Sequence, residues 1–391
     1  MSTETELLPE RAVLVHIGPY KTGSTAIQSS LHAHRAELSA AGITYPGSYH
    51  RQMRPSWALL GRSRVGEADV PTAEWDEMVA EVRRAPGRVV ISSEDFSSAR
   101  PERARKLVDD LGADLVHVLI VARRLDKLLP SAWQERVKSV NETRTYDTWL
   151  REVLAKERTG RAARVFWHNH GLDGLIARWR AVLPAEQVIV LVTDEADRGL
   201  QPRTFERLLG LDEGLLTPGP HTNTSLSMER IEFCRQVNLA VESRGWVGNK
   251  RLNPARRALL SGLRVAPLAD WETLIPPLPS WSTERLVALS DERADAVARA
   301  DATVVGDPDL LRWHGEGAGD DLGAPPTAIP IAAAAQAMEQ ALAGSLRAIR
   351  KQRPAKPARS MPQPVLPPVS DVPGRDLVRE LGRRVRRRVR R

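Results

Sequence analysis

The chain has 391 residues, of which 42% are hydrophobic and one is cysteine, and its formal net charge is +8. This length permits one large α/β domain or two smaller ones, with a sizeable buried core. The single cysteine, Cys234, excludes an intramolecular disulfide framework and a cysteine-based metal cluster.

The positive charge is concentrated at the C-terminus. Residues 374–391 contain nine arginines and two acidic residues, a net charge of +7, which leaves +1 for the other 373 residues. This distribution argues against a nucleic-acid-binding surface on the body of the protein. The tail also has apolar residues at mostly three- or four-residue spacing: Leu377, Val378, Leu381, Val385 and Val389. Two interpretations stay open, a basic amphipathic helix on an anionic membrane surface and a solvated tail without fixed structure.

The hydropathy pattern predicts the compartment. No run approaches the roughly 20 apolar residues that cross a bilayer, and the polar, acidic first residues lack the apolar segment of a signal peptide. We therefore expect a cytoplasmic protein whose one membrane contact would be peripheral, through the tail.

Short apolar runs alternate with helical patterns in the first half of the chain. The runs are 12–17, 88–93, 115–122 and 187–192. The helical patterns are 25–41, 101–111, 125–137 and 175–183. Continuous apolar strands separated by helices are typical of a parallel sheet covered on both faces. The pattern predicts a three-layer α/β fold of the P-loop type.

The second half predicts helices and then a change in composition. Helical spacing covers 227–242 and 283–300, and proline becomes frequent from residue 354 to residue 373. We predict an α/β domain at 11–315 and a linker rich in alanine and proline at 316–373, with a helix at 331–349. A basic tail, disordered or an amphipathic helix, follows at 374–391.

The first apolar run ends in a loop suited to phosphate. The sequence His-Ile-Gly-Pro-Tyr-Lys-Thr-Gly-Ser-Thr, residues 16–25, places a lysine, hydroxyls and glycines between a strand and a helix. Backbone N–H groups in such a turn converge, and the helix dipole adds partial positive charge. The loop therefore predicts an anionic phosphate ligand.

The position of the lysine distinguishes two kinds of phosphate loop. In the triphosphatase pattern G-x-x-x-x-G-K-[ST] the lysine follows the second glycine, whereas here Lys21 precedes Gly23. Lysine before Thr-Gly-Ser-Thr resembles the 5′-phosphosulfate loop of the sulfotransferases that use 3′-phosphoadenosine 5′-phosphosulfate. The resemblance implies that this co-substrate is bound by a run of five residues: Lys21, Thr22, Gly23, Ser24 and Thr25.

A second motif lies at the end of the third apolar run. Arg123 is followed eight residues later by Ser131, which resembles the pair that holds the 3′-phosphate in the same family. A guanidinium and a hydroxyl are suitable donors to phosphate oxygens. Trp133 departs mildly from the family pattern, which commonly has tyrosine nearby. Looser similarities to bacterial members lie at 38–46, 92–96 and 223–227.

The resemblance implies transfer of a sulfuryl group to the hydroxyl or amine of a carbohydrate, lipid or small-molecule acceptor. Lys21 would stabilise charge on the leaving phosphate, without a metal ion. The position of Glu94 resembles that of the catalytic histidine in the family's cytosolic branch. His50 lies in the region where other members have a catalytic glutamate. Both are candidate general bases, alone or together.

Two other functions stay open at this point. A nucleotide kinase or triphosphatase would need an acidic residue at a strand end to hold magnesium, and Asp194 or Glu94 has such a position. A non-catalytic protein that binds anions or membranes through the tail is the second alternative. Truncation at Pro373 distinguishes it, because nucleotide binding by an enzyme would survive that cut.

Overall fold

A computed structural model describes seven stretches of the chain: 6–63, 68–139, 142–217, 225–249, 252–274, 278–319 and 324–352. The proline-rich end of the predicted linker, the basic tail at 374–391 and residues 223–224 of the loose similarity lie outside the described residues.

The core of the fold is a parallel sheet of five strands, in the order β2-β1-β3-β4-β6. Its strands are β1 (Val13–Gly18), β2 (Val89–Ser92), β3 (Val116–Ala122), β4 (Val188–Val192) and β6 (Thr303–Val305). Two further strands of two residues each, β5 (Leu278–Pro279) and β7 (Ala318–Gly319), pair with each other. The predicted α/β fold with a parallel sheet is confirmed.

Helices cover both faces of the sheet because successive strand residues point to opposite sides. Val13, Val15 and Ile17 face one layer, and Leu14 faces the other. The first layer contains α3 (Met53–Leu60), α4 (Ala73–Arg84), α5 (Pro101–Leu111), α9 (Leu172–Arg180) and α13 (Thr283–Ala298). The second contains α1 (Ser24–Ala33), α2 (Arg35–Ala40) and α10 (Leu200–Leu209).

A third apolar cluster holds the remaining helices together, and we call this part the helical region. These are α6 (Leu125–Ser139), α7 (Tyr146–Leu154), α8 (Arg161–His170), α11 (Met228–Ser243), α12 (Asn253–Val265) and α14 (Ile331–Gln352). Within it, Ala337 packs against Gly262, where a Cβ on the glycine would lie 2.5 Å from the Gln336 carbonyl oxygen. The predicted helical C-terminal part is therefore present as far as α14.

Helix boundaries differ from the predicted ones where the backbone breaks. The single helix expected at 25–41 is two helices, because His34 leaves helical geometry at φ −102° and ψ 31°. The described residues up to Gly344 belong to one compact unit. The domain limits predicted at 315 and 373 stay a prediction. Over the described residues, none of the helices has the length and apolar character to cross a membrane.

The order of the strands fixes where a ligand would bind. From β1 the chain first adds β2 on one side and then β3 on the other. In open α/β sheets, ligands bind beyond the carboxyl ends of the strands where the order reverses in this way. The loops that follow β1 and β3 flank this point.

Candidate functional site

The loop after β1 is shaped by three residues in the left-handed region. Gly18, Lys21 and Gly23 have φ angles of 76°, 69° and 96°. The buried Thr22 hydroxyl donates a 2.7 Å hydrogen bond to the carbonyl oxygen of Pro19, which fixes the turn. The first turn of α1 contains no acidic residue, and its N-cap, Gly23, supplies no side-chain cap. The first N–H groups of α1 are therefore suited to an anion.

Two buried polar atoms beside this loop have no hydrogen-bond partner among the described residues. They are the hydroxyl of Ser24 and the side-chain nitrogen of Gln201. The Gln201 side chain lies against Gly23, where a Cβ on the glycine would come within 2.5 Å of Gln201 Oε1. Because buried polar groups are normally satisfied, both atoms are suited to a polar ligand. Thr25 is exposed at the start of α1.

The Lys21 side chain lies beside α6. Its Nζ is 3.6 Å from Glu135 Oε2, and the Nζ of Lys138 is 3.5 Å from the same oxygen. Burial and the charge of Lys21 lower the pKa of Lys138, although Glu135 acts in the opposite direction. Two ammonium groups thus share one carboxylate, which leaves positive charge available to an anion.

Arg123, at the end of β3, contacts the loop directly. Its Nη1 donates a 3.0 Å hydrogen bond to the carbonyl oxygen of Lys21. Its Nε and Nη2 donate to the two carboxylate oxygens of Glu195 at 2.6 and 3.1 Å. The structure therefore brings the two motif residues, Lys21 and Arg123, into contact through the backbone.

Ser131 belongs to the same region through α6. It is half-buried and lies one helical turn before Glu135, the neighbour of Lys21, so both occupy one face of α6. Trp133 does not share that role. It is buried in the cluster of the helical region and donates to the carbonyl oxygen of Arg144 at 3.3 Å.

Glu94 lies next to the loop after β1. It follows β2 and is buried, and its Oε2 lies 3.2 Å from the side-chain nitrogen of Gln28 on α1. A Cβ on Gly18 would lie 3.2 Å from the Cβ of Glu94, which shows how closely these two residues pack against each other. Glu94 is therefore held between the loop and α1.

His50 occupies a different place from Glu94. It is exposed, its Nε2 is 2.8 Å from the Ser29 hydroxyl, and its ring centroid is 5.6 Å from that of His32. Partial burial and the charges of His32 and Arg51 lower its pKa. Ser29 and Gln28 are about 100° apart around α1. His50 and Glu94 thus contact different sides of that helix, and the structure does not bring them together.

Several neighbours of the loop carry no sequence motif. The Tyr20 hydroxyl donates to the carboxylate of Asp95, and burial together with Asp95 raises the pKa of Tyr20. Arg62 Nη1 lies 3.4 Å from the same carboxylate. These contacts join positions more than 30 residues apart, so no local signal reveals them. Over the described ranges, no group of three or more His, Cys, Asp or Glu residues is arranged to hold a metal ion.

Comparisons with known proteins give one likeness to a solved structure. No protein-family model matches the chain. No curated protein matches it. The crystal structure of a sulfotransferase from Alicyclobacillus acidocaldarius is similar over 60% of this chain and 94% of that one, with 19% identity and a TM-score of 0.37. At that identity and TM-score, the likeness decides neither the family nor the activity.

Proposed function

We propose that the protein is a sulfotransferase that binds 3′-phosphoadenosine 5′-phosphosulfate at the loop after β1. The observation that carries the proposal is the 3.0 Å hydrogen bond between Arg123 Nη1 and the Lys21 carbonyl oxygen. A nucleotide with phosphates on both the 5′ and 3′ positions needs two cationic positions close to each other. Lys21 and Arg123 offer them on either side of the reversal in strand order.

The residues at the loop suit the 5′ end of this co-substrate. The Ser24 hydroxyl and the Gln201 amide nitrogen are donors without acceptors among the described residues, and no side chain caps the start of α1. Lys21 adds a full positive charge. Thr22 shapes the turn through its bond to Pro19, and Gly23 leaves the space that Gln201 fills.

The residues around Arg123 suit the 3′-phosphate. Three of the five guanidinium hydrogens are used by Glu195 and Lys21, which leaves one on Nη1 and one on Nη2 without an acceptor in the part of the chain that the structure describes. Ser131 would add a hydroxyl donor from α6. Charge-assisted hydrogen bonds of this kind contribute about 1.5–3 kcal/mol each.

The transfer needs stabilised charge on one side and a proton acceptor on the other. The bound co-substrate supplies a sulfuryl group attached to a phosphate oxygen; that S–O bond breaks as a bond from sulfur to the acceptor forms. Lys21 and the N–H groups of α1 stabilise charge on the departing phosphate. A carboxylate takes the proton from the acceptor hydroxyl or amine.

Glu94 is the better candidate for this base. Its packing against Gly18 puts it next to the loop, whereas the contacts of His50 are with Ser29 and His32 on another side of α1. The acceptor classes, carbohydrate, lipid or small molecule, stay predictions. So do the cytoplasmic location and a peripheral membrane contact of the tail.

Calorimetric titration tests the co-substrate. The ligands are 3′-phosphoadenosine 5′-phosphate, adenosine 5′-phosphate and ATP with magnesium, and the variants are Lys21→Ala and Arg123→Ala. We expect the bisphosphate to bind about tenfold or more tightly than the monophosphate, and both variants to weaken it at least about tenfold. Lys106→Ala is the matched control, because Lys106 pairs with Asp110 on the surface of α5. Tighter binding of ATP with magnesium than of the bisphosphate would contradict the proposal and favour a kinase. So would an Arg123→Ala variant that binds the bisphosphate as tightly as the wild type.

A further inference from the structure

Glu195 makes the closest polar contacts of Arg123. It lies in the loop after β4, and its two carboxylate oxygens accept from Nε at 2.6 Å and Nη2 at 3.1 Å. This side-on bidentate geometry fixes the plane of the guanidinium as well as its distance. Neither side chain is fully exposed, at 26% for Arg123 and 31% for Glu195.

The main chain of Arg123 is held independently. Its carbonyl oxygen accepts a 2.9 Å hydrogen bond from Nη2 of Arg293, a buried side chain of α13. Its side chain, by contrast, is oriented by two partners among the described residues, the carboxylate of Glu195 and the carbonyl oxygen of Lys21. Removing Glu195 would leave a long side chain attached at one donor, free to rotate about its terminal bonds.

The negative charge of Glu195 is outweighed by the positive charges of its neighbours. Burial raises its pKa, but hydrogen bonds to Arg123 and the charges of Arg123, Lys127 and Arg198 outweigh burial, so the pKa falls below its usual range. Three cations therefore act on one carboxylate. The position stays attractive to a phosphate despite the acid beside it.

We infer that Glu195 is a positioning residue for the 3′-phosphate: it holds the Arg123 guanidinium so that the free hydrogens of Nη1 and Nη2 meet the ligand. The inference rests on the proposed function. It assigns Glu195 no contact with the nucleotide, since its effect passes through Arg123. It also predicts dependence on the 3′-phosphate specifically, because Lys21 and the start of α1 bind the other end.

Calorimetric titration of Glu195→Ala and Glu195→Gln, with the bisphosphate and with adenosine 5′-phosphate, tests this inference. Glu195→Ala should weaken bisphosphate binding about tenfold or more and change monophosphate binding by less than about twofold. Glu195→Gln should lie between the wild type and Glu195→Ala, because its amide oxygen still accepts from Nε of Arg123. Asp197→Asn is the matched control, an acid in the same loop that pairs with Arg203, and it should leave both affinities unchanged.

A double variant separates positioning from a general effect on the fold. In an Arg123→Ala background, Glu195→Ala should not weaken bisphosphate binding further, because the residue it orients is gone. Tighter bisphosphate binding by Glu195→Ala would overturn the inference and make Glu195 a competitor of the phosphate. Unchanged affinity, or equal loss for both nucleotides, would overturn it as well.

The wild type reports on the proposed function in the same titrations. A wild-type protein that does not distinguish the bisphosphate from the monophosphate would refute the proposed function, and the role of Glu195 with it. A wild type that does distinguish them, beside an unaffected Glu195→Ala, would refute the role of Glu195 alone.

Discussion

The side-chain nitrogen of Gln28 lies 3.2 Å from Oε2 of Glu94, so α1, which begins at the phosphate loop, also holds the carboxylate at the end of β2. The same nitrogen lies 3.2 Å from the Ser92 hydroxyl. One helix therefore fixes both the start of the proposed anion site and the candidate base. A shift of α1 would move them together.

The first prediction separates the two candidate bases. Glu94→Gln keeps the size of the side chain but removes the proton acceptor, so the rate of bisphosphate formation from the sulfated co-substrate should fall about 100-fold or more. Affinity for the bisphosphate should change by less than about threefold. His50→Gln, at the exposed position beside Ser29, should keep most of the rate. A larger loss with His50→Gln would reverse the assignment.

The second prediction concerns the unpartnered amide of Gln201. Gln201→Ala removes a buried donor next to Gly23. We expect the bisphosphate and adenosine 5′-phosphate to bind about 5- to 20-fold more weakly, because both carry the 5′-phosphate. Gln201→Glu should weaken them further through repulsion. Titration calorimetry measures both, with Gln340→Ala on α14 as the control. Selective loss of the bisphosphate would assign Gln201 to the other phosphate.

The third prediction is a pH dependence of stability. Burial lowers the pKa of His16, in β1, from 6.5 to about 3. Below pH 6.5, His16 becomes protonated in the unfolded chain but stays neutral in the folded protein. The contribution of His16 to the free energy of unfolding is therefore complete above pH 6.5. It is lost as the pH falls towards 3, by about 1.4 kcal/mol per pH unit.

Urea unfolding at pH 7, 6, 5 and 4 checks this dependence. Burial gives His170 the same shift, to about 3, so the two slopes add. His16→Gln should be less stable at pH 7, since the Ser92 hydroxyl loses its 2.8 Å partner Nδ1, but should lose stability less steeply towards pH 4. His50→Gln is the exposed control. Parallel curves for His16→Gln and the wild type would contradict the prediction.

The fourth prediction concerns a buried ion pair in the helical region. Arg230 on α11 and Glu272 are 2% and 0% exposed, with Nε and Oε1 2.6 Å apart. Arg230→Met leaves the carboxylate buried without its partner, so the free energy of unfolding should fall by about 3–5 kcal/mol. Arg230→Met with Glu272→Leu should recover much of it. Urea denaturation measures both, and Lys106→Met, in an exposed pair, should cost less than about 1 kcal/mol.

Much of the fold could be predicted because its signals are local. Continuous apolar runs revealed four strands, and the helix Pro101–Leu111 was predicted to the residue, since proline begins it and Gly112 follows it. The remaining strand of the five-stranded sheet, β6 (Thr303–Val305), was missed because three residues give no periodicity. The break at His34 was missed because helical spacing continues through it.

The site could be predicted only where its residues belong to a local motif or lie near one in the sequence. Lys21 and Arg123 were singled out because each follows an apolar run within a motif that resembles a sulfotransferase phosphate site, and parallel strands end at one edge of the sheet. Glu195 lies 72 residues beyond Arg123, and Gln201 reaches Gly23 from α10. Such long-range partners depend on how helices pack on the sheet, which the sequence does not state. The roles of the site residues stay predictions.

The late position of β6 affects how the protein folds as it is synthesised. This edge strand pairs with β4, yet the chain between Val192 and Thr303 first forms α10, α11, α12 and α13. Until residue 305 has emerged, β4 presents an unpaired backbone edge, which is a template for association with other chains. A fragment that ends before β6 would keep the phosphate loop but expose that edge. A C-terminal truncation that removes α11, α12 and α13 therefore also removes β6 and opens the sheet.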